Sequence, residues 1–194
     1  MRYNEMMLET SRLVLPELGE RHLQRFLAVA GARAIADTTI SIPHPLSESA
    51  AREWIGKAVA ESQENRALHF AITIRPQQDV LVGCVALKAI DLEHREAELS
   101  FWLDGHHAGR GYITEAAAAV IEHALSDLHL NRLCAYHMVR NPASGRVLEK
   151  LHFRPEGLLR QRVRKWGVYE DVRLWARLTS DSADRFQPSP TQNF

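Results

Sequence analysis

The 194-residue chain predicts an α+β fold: a central mixed, mostly antiparallel sheet of about six or seven strands flanked by about four helices. Three observations point there. Period-two apolar runs crowd the middle of the sequence, helical apolar stripes interrupt them, and the connectors between successive strands are short. A chain of this length buries a sizeable core in one domain and is short for two. The expectation is one domain over residues 1–178 and a flexible tail over residues 179–194, "TSDSADRFQPSPTQNF".

Each element has its own signal. "SRLVL" (Ser11–Leu15) is a short strand, and Leu23, Phe26, Leu27 and Ala30 keep helical spacing after it. Pro43 and Pro45 punctuate a loop over Ala36–Ser49, within which Ser47 caps a second helix with the stripe Ala51, Trp54, Ile55 and Ala58. In "LHFAITI" (Leu68–Ile74), Leu68, Phe70, Ile72 and Ile74 point one way. Strands at Val80–Ile90 and Glu96–Leu103 follow across short connectors, which makes the three an antiparallel meander. A helix then buries Ala117, Val120, Ile121, Ala124, Leu125 and Leu128, and Arg132–Val139 is another strand. "NPASGRVLEKL" carries Asn141 as cap and Pro142 at the first helical position, with Val147, Leu148 and Leu151 buried. Two last strands, near Glu156–Lys165 and Val168–Leu178, turn around Trp166-Gly167.

Bulk chemistry excludes several classes. Lys+Arg and Asp+Glu balance at 24 each, so net charge makes no case for nucleic acid or an anionic membrane. Cys84 and Cys134 lie in apolar runs without ligand spacing and read as reduced thiols of a cytoplasmic protein. The N-terminus has no apolar signal segment, and no apolar run reaches the length of about 18 residues that a membrane span needs. Ten histidines invite a metal site, yet only His106 and His107 are adjacent and no H-x₃-H pair shares a helix face with a carboxylate, so no metal is expected.

The chemistry concentrates in "HHAGRGYITEA" (His106–Ala116), between a strand and an alanine-rich helix. Gly109-x-Gly111 begins a dinucleotide fingerprint, but Thr114 stands at its third glycine and the preceding strands form no opening βαβ unit. A P-loop motif occurs nowhere. Two readings remain, a turn that merely uses glycine's freedom and an anion site in which glycines leave the first helical amides uncovered. Arg110 between them adds a charge.

This block resembles the acyl-CoA pyrophosphate loop of the GNAT superfamily of N-acetyltransferases, with pattern [QR]-x-x-G-x-[GA]. "GYITEA" is similar to the "GYATEA" of the branch that acetylates ribosomal-protein N-termini. "LETSRLVL", "ISIPHPLSESAAREWI", "AELSFWLD", "NPASGRVLEKLHFRPEG" and "YEDVRLWARL" resemble further family segments in the right order, covering roughly Leu8 to Leu178. His106 stands where the family has Gln or Arg, and His152 where it usually has Gly.

The resemblance implies a GNAT fold and acetyl-CoA as cosubstrate. It places the coenzyme against Phe101, Trp102 and Leu103, against His106, His107, Ala108, Gly109, Arg110 and Gly111, against Tyr112, Ile113 and Thr114, and against Asn141 and Ser144. The reaction is direct transfer of acetyl to a primary amine. An amine with a pKa of about 8 to 10.4 must lose a proton, an oxyanion needs donors where the central strand splays, and a thiolate leaves with little help. Glu98 is the expected base, with Glu96 its rival on the same strand face and an ion pair with Arg95 or Arg132 the structural alternative. Ser144 is expected at the coenzyme's sulfur. A covalent acyl-cysteine has no His–carboxylate support.

The acceptor is expected to be chosen by the loop Ala36–Ser49, where Asp37, His44 and Glu48 can attract an ammonium group, and by the last hairpin. There Arg160, Arg162 and Arg164 are expected on one face, with Arg173 and Arg177 across. A protein N-terminus leads; a small amine such as a polyamine, amino acid or antibiotic, or a non-catalytic acyl-CoA sensor, are the alternatives. A homodimer is common in the family, and no residue here demands one.

Overall fold

The apolar runs become eight strands and five α-helices in the computed structural model, which describes residues 6–181. In chain order these are β1 (Met7–Glu9), β2 (Leu13–Pro16), α1 (Leu23–Ala30), α2 (Arg33–Thr38), α3 (Glu48–Gln63), β3 (Leu68–Ile74), β4 (Gln77–Asp91), β5 (Glu96–Leu103), α4 (Tyr112–Ser126), β6 (Arg132–Met138), α5 (Pro142–Lys150), β7 (Arg154–Lys165) and β8 (Val168–Leu178). All lie in one sheet, ordered β1-β2-β3-β4-β5-β6-β8-β7. Every pairing is antiparallel except β5 with β6. The exception follows from connectivity, because α4 crosses over between those two strands.

The sheet is α+β and mixed as expected, with one strand more than the upper estimate. The opening "LETSRLVL" contains two strands, β1 and β2, paired from Met7–Pro16 to Glu9–Val14. A fifth helix, α2, occupies the start of the expected loop, so the irregular segment begins at Thr39 instead of Ala36. Its six residues are too few to display a helical period, but Ile35 and Ala36 are buried and hold it down. Ser47 caps α3, accepting from the Ala50 amide at 3.1 Å. His152 takes the left-handed conformation (φ +63°) after α5, the geometry for which glycine is ordinarily used.

Both faces of the sheet are covered, so β3 is buried on both sides and not on one. Leu68, Phe70 and Ile72 pack with Ala97, Leu99, Val120 and Ile121 in the core beneath α4 and α5. Ala71, Cys84 and Trp102 on the opposite face pack with Phe26, Ile35 and Ile55 of α1, α2 and α3. The last hairpin also departs from simple alternation. A bulge between Leu159 and Val163 of β7, with Gln161 at φ +52°, breaks the expected row of arginines. Arg164 ends opposite Tyr169, and Leu158 stands opposite Arg173.

What positions the site is a separation inside the sheet. β5 and β6 pair only from Glu96–Arg132 to Leu99–Ala135. Beyond that point β5 stays with β4 as far as Leu103–Gly83, and β6 stays with β8 as far as Met138–Val172. A gap opens between the two strands. Of the expected tail, the amide of Thr179 donates to Asn131 O at 2.9 Å; residues 182–194 lie outside the described residues. Among the described residues no helix is long and apolar enough to cross a membrane.

Candidate active site

Gly109 and Gly111 have φ of +77° and +80°. A Cβ added at Gly109 would meet nothing within 4 Å, so backbone conformation and not crowding calls for glycine there. Gly111 is the N-cap of α4 and supplies no side-chain cap. The first amides of a long helix therefore lie bare at its positive end.

Arg12 holds this turn from behind. Its Nη1 donates to Arg110 O at 3.0 Å, its Nε donates to Glu115 Oε2 at 2.6 Å, and its guanidinium lies 4.8 Å from the Tyr112 ring centre. Burial would raise the Glu115 carboxyl's pKa, but hydrogen bonds from Thr10 and Arg12 bring it below the ordinary value.

A cavity of about 330 Å³ opens in front of the turn. Phe101, Trp102 and Leu103 line it from β5, Ala108, Gly109 and Gly111 from the turn, and Tyr112, Ile113 and Thr114 from α4. Asn141 and Ser144 complete it from the α5 side. Asn141 Nδ2 donates to Ser144 Oγ at 2.9 Å, and its Oδ1 accepts from the Ser144 amide at 3.4 Å, so the cap also orients the serine hydroxyl. His106, His107 and Arg110 are not brought to this cavity. The His106 amide donates to Asp104 Oδ1 at 3.1 Å, and His107 Nδ1 lies 3.3 Å from the same carboxylate. In their place Arg146 and Lys150 of α5 line the cavity. Their i, i+4 spacing was the available signal, since it sets both cations on one helix face.

A second cavity of about 510 Å³ shares Thr38, Phe101, Trp102 and Ser144 with the first. The two meet where β5 and β6 part. Glu98, Ser100 and Trp102 of β5 line the second cavity, together with Lys88, Tyr136, His137 and His69. Glu98 Oε1 pairs with Lys88 Nζ at 2.6 Å, not with Arg95 or Arg132. Arg95 instead donates to His129 O, and Arg132 is held by Glu156. The rival Glu96 is about half exposed, lies 3.7 Å from Arg132 and is absent from the cavity lining.

Thr38 to Ile42 form one wall of this cavity, and Arg162, Val163 and Arg164 another. Asp37, His44 and Glu48 do not face it. Asp37 instead fastens this segment to the last hairpin. Trp166 Nε1 donates to Asp37 Oδ1 at 2.7 Å, and Arg140 Nη1 donates to Asp37 Oδ2 at 3.0 Å. The Trp166 hydrogen bond, the larger influence, holds the Asp37 carboxyl below its ordinary pKa. The buried Lys165 Nζ donates to Thr39 O at 2.8 Å. Glu48 pairs with Arg52, and His44 Nδ1 lies 3.1 Å from Gly31 O.

Burial pushes the Cys84 thiol up to about 12, so it holds almost no thiolate at neutral pH. Burial also raises Cys134. Among the described residues no group of three or more His, Cys, Asp or Glu could hold a metal ion.

Two cavities meeting at a sheet gap, one against bare helix amides and one against a carboxylate, suit transfer of a group from an anionic carrier to a second substrate. Residues 12–154 match the acetyltransferase (GNAT) domain. The chain belongs to the GNAT acetyltransferase family. It is 38% identical over 130 residues to the probable N-acetyltransferase YjcK of Bacillus subtilis, covering 64% of this chain and 71% of that one. It is 33% identical over 132 residues to the ribosomal-protein-serine acetyltransferase of Escherichia coli K12, covering 68% and 72%. The solved structure of RimL, a ribosomal L7/L12 alpha-N-protein acetyltransferase in complex with coenzyme A, has the same fold: TM-score 0.81, 22% identity, 89% of this chain and 98% of that one. This GNAT protein is an acyl-CoA-dependent N-acetyltransferase whose cosubstrate is acetyl-CoA and whose acceptor is an amine. The open space at Gly109, the bare amides of α4 and the cations Arg146 and Lys150 suit the coenzyme's diphosphate.

Proposed function

We propose that this GNAT protein acetylates the α-amino group at a protein N-terminus, of the serine or alanine kind met in ribosomal proteins. The observation that carries the mechanism is the meeting of the two cavities at Phe101, Trp102 and Ser144. The amides of Gly111 to Thr114 receive the diphosphate, and Arg146 and Lys150 add charge. The thioester then lies in the gap, where β5 amides beyond Leu99 have lost their β6 partners and serve as oxyanion donors.

Glu98 faces the acceptor side of that gap. Held by Lys88, its carboxylate acts on the incoming ammonium group, orienting it and drawing off its proton. Ser144 Oγ, turned by Asn141, supplies a proton to the leaving sulfur. The likeness to the ribosomal-protein-serine acetyltransferase supports a protein acceptor. So does the breadth of the second cavity, walled by the loop at Thr39 and the hairpin at Arg162 and Arg164.

The test is release of coenzyme A thiol with acetyl-CoA and a panel of acceptors: peptides with N-terminal serine or alanine, polyamines, amino acids and aminoglycosides. Peptide-stimulated release with acetylation at the α-nitrogen is the expected result. Release with small amines alone contradicts the protein acceptor, and tight coenzyme binding without release on any amine contradicts catalysis.

A further inference from the structure

His69 of β3 has no part in the mechanism above. It is 5% exposed; Nδ1 has no hydrogen-bond partner, and Nε2 has only the Glu61 carboxylate, at the long distance of 3.6 Å. Leaving a buried polar group unsatisfied costs stability, and such groups gather where they are used. His69 also lines two cavities at once. One is the acceptor cavity. The other, about 780 Å³, lies against α3 and the outer part of β4 and is lined by Glu53, Lys57, Glu61 and Asp91 among others. The imidazole thus stands in the wall between them, with the Trp54 ring edge-on at 5.5 Å.

The groups facing His69 are few. Glu61 and Lys57 come from α3, and Lys88, the partner of Glu98, comes from β4 and lines both cavities. Nε2 lies 3.6 Å from Glu61 Oε2. Burial lowers the ring's pKa, with Glu61 pulling the other way, so a neutral imidazole is available at neutral pH.

Acetyl transfer produces a proton that has to go somewhere. An ammonium nitrogen with three hydrogens becomes an amide nitrogen with one. As the N–C bond forms and the C–S bond breaks, one of the two protons ends on sulfur. The other leaves, and the base that takes it has to give it up again before the next turnover.

We infer that His69 carries this proton out of the acceptor cavity to Glu61 and so to solvent in the second cavity, an inference that rests on the acetyl-transfer reading. The proton arrives at one ring nitrogen, the hydrogen on the other passes to Glu61, and exchange with water restores the tautomer. No oxidant or further reactant enters. His69 is a relay residue and touches neither substrate.

The experiment is steady-state kinetics of His69→Ala and Glu61→Gln against pH, with acetyl-CoA and a short peptide bearing a free N-terminal serine. For His69→Ala, kcat falls on the order of 100-fold at neutral pH. Added imidazole restores it, and the residual rate climbs through the amine's own pKa of about 8. Glu61→Gln, which keeps the ring in place, lowers kcat without changing the peptide KM or the melting temperature. Unchanged turnover in either variant overturns the relay, as does a loss in His69→Ala that is equal at every pH and indifferent to imidazole. A wild-type protein that binds coenzyme A but acetylates no amine overturns the acetyl-transfer reading as well, whereas normal wild-type turnover beside those results overturns the relay alone.

Discussion

Arg12 and Glu115 join the residue just before the second strand to the first turn of α4 across 103 positions of sequence: Arg12 Nε donates to Glu115 Oε2 at 2.6 Å, and the Arg12 amide donates to Glu115 Oε1 at 3.1 Å. The same guanidinium reaches Arg110 O, so the pair sets the shape of the glycine turn that lines the first cavity. With Arg12 half exposed and screened by water, a pair of this kind is worth up to about 1 kcal/mol. Arg12→Ala is expected to weaken coenzyme A binding on the order of tenfold, read by calorimetry, with kcat at saturating acetyl-CoA retained.

The pair also has a pH signature. Because the Glu115 carboxyl has a lower pKa folded than unfolded, its stabilisation is present at and above the ordinary carboxylate range. It is lost as pH falls through the folded value. Asp37, held down by Trp166 and Arg140, behaves in the same sense. Melting temperature is therefore expected to fall below about pH 4, and Glu115→Gln is expected to flatten part of that fall. An acid limb identical in the variant and the wild type contradicts the assignment.

Gly109→Ala tests backbone conformation without steric interference, because nothing lies within 4 Å of the added methyl. Holding an alanine at φ +77° costs about 1–2 kcal/mol. The expected outcome is a lower melting temperature with weaker coenzyme binding. Unchanged stability and affinity would show that the turn does not need its left-handed residue.

Glu98→Gln is expected to lower kcat on the order of 100-fold while coenzyme affinity is unchanged. Lys88→Met, which leaves Glu98 without its partner at 2.6 Å, is expected to lower kcat and spare coenzyme affinity. Full activity in Glu98→Gln rules that carboxylate out as the base.

Lys165→Met removes the ammonium group that satisfies Thr39 O and Ile42 O. The uncovered carbonyls cost about 1–3 kcal/mol, and the loosened loop is expected to raise the acceptor KM and spare the coenzyme. An equal loss of both affinities contradicts a loop that serves the acceptor alone.

Local physics was legible in the sequence and long-range register was not. Leu68–Ile74 alternates with period two and Glu96–Leu103 is a short apolar-rich run, and both are strands with those bounds. Asn141-Pro142 and Ser47 announce helix starts because caps act within three residues. The left-handed glycines were legible for the same reason. By contrast, α2 is too short to show a period, and the bulge at Gln161 shifts the arginine row without any glycine to mark it. Lys88 becomes the partner of Glu98 only through the β4–β5 register, and His69 gains its setting from two cavities that the folded sheet and α3 enclose.

Calorimetric titration of coenzyme A into the wild-type protein and into Gly109→Ala addresses the bare amides at the start of α4 most directly. One coenzyme is expected to bind per chain with favourable heat, and the variant is expected to bind it more weakly. No heat with the wild type, or the same affinity in both proteins, contradicts a diphosphate site at the glycine turn.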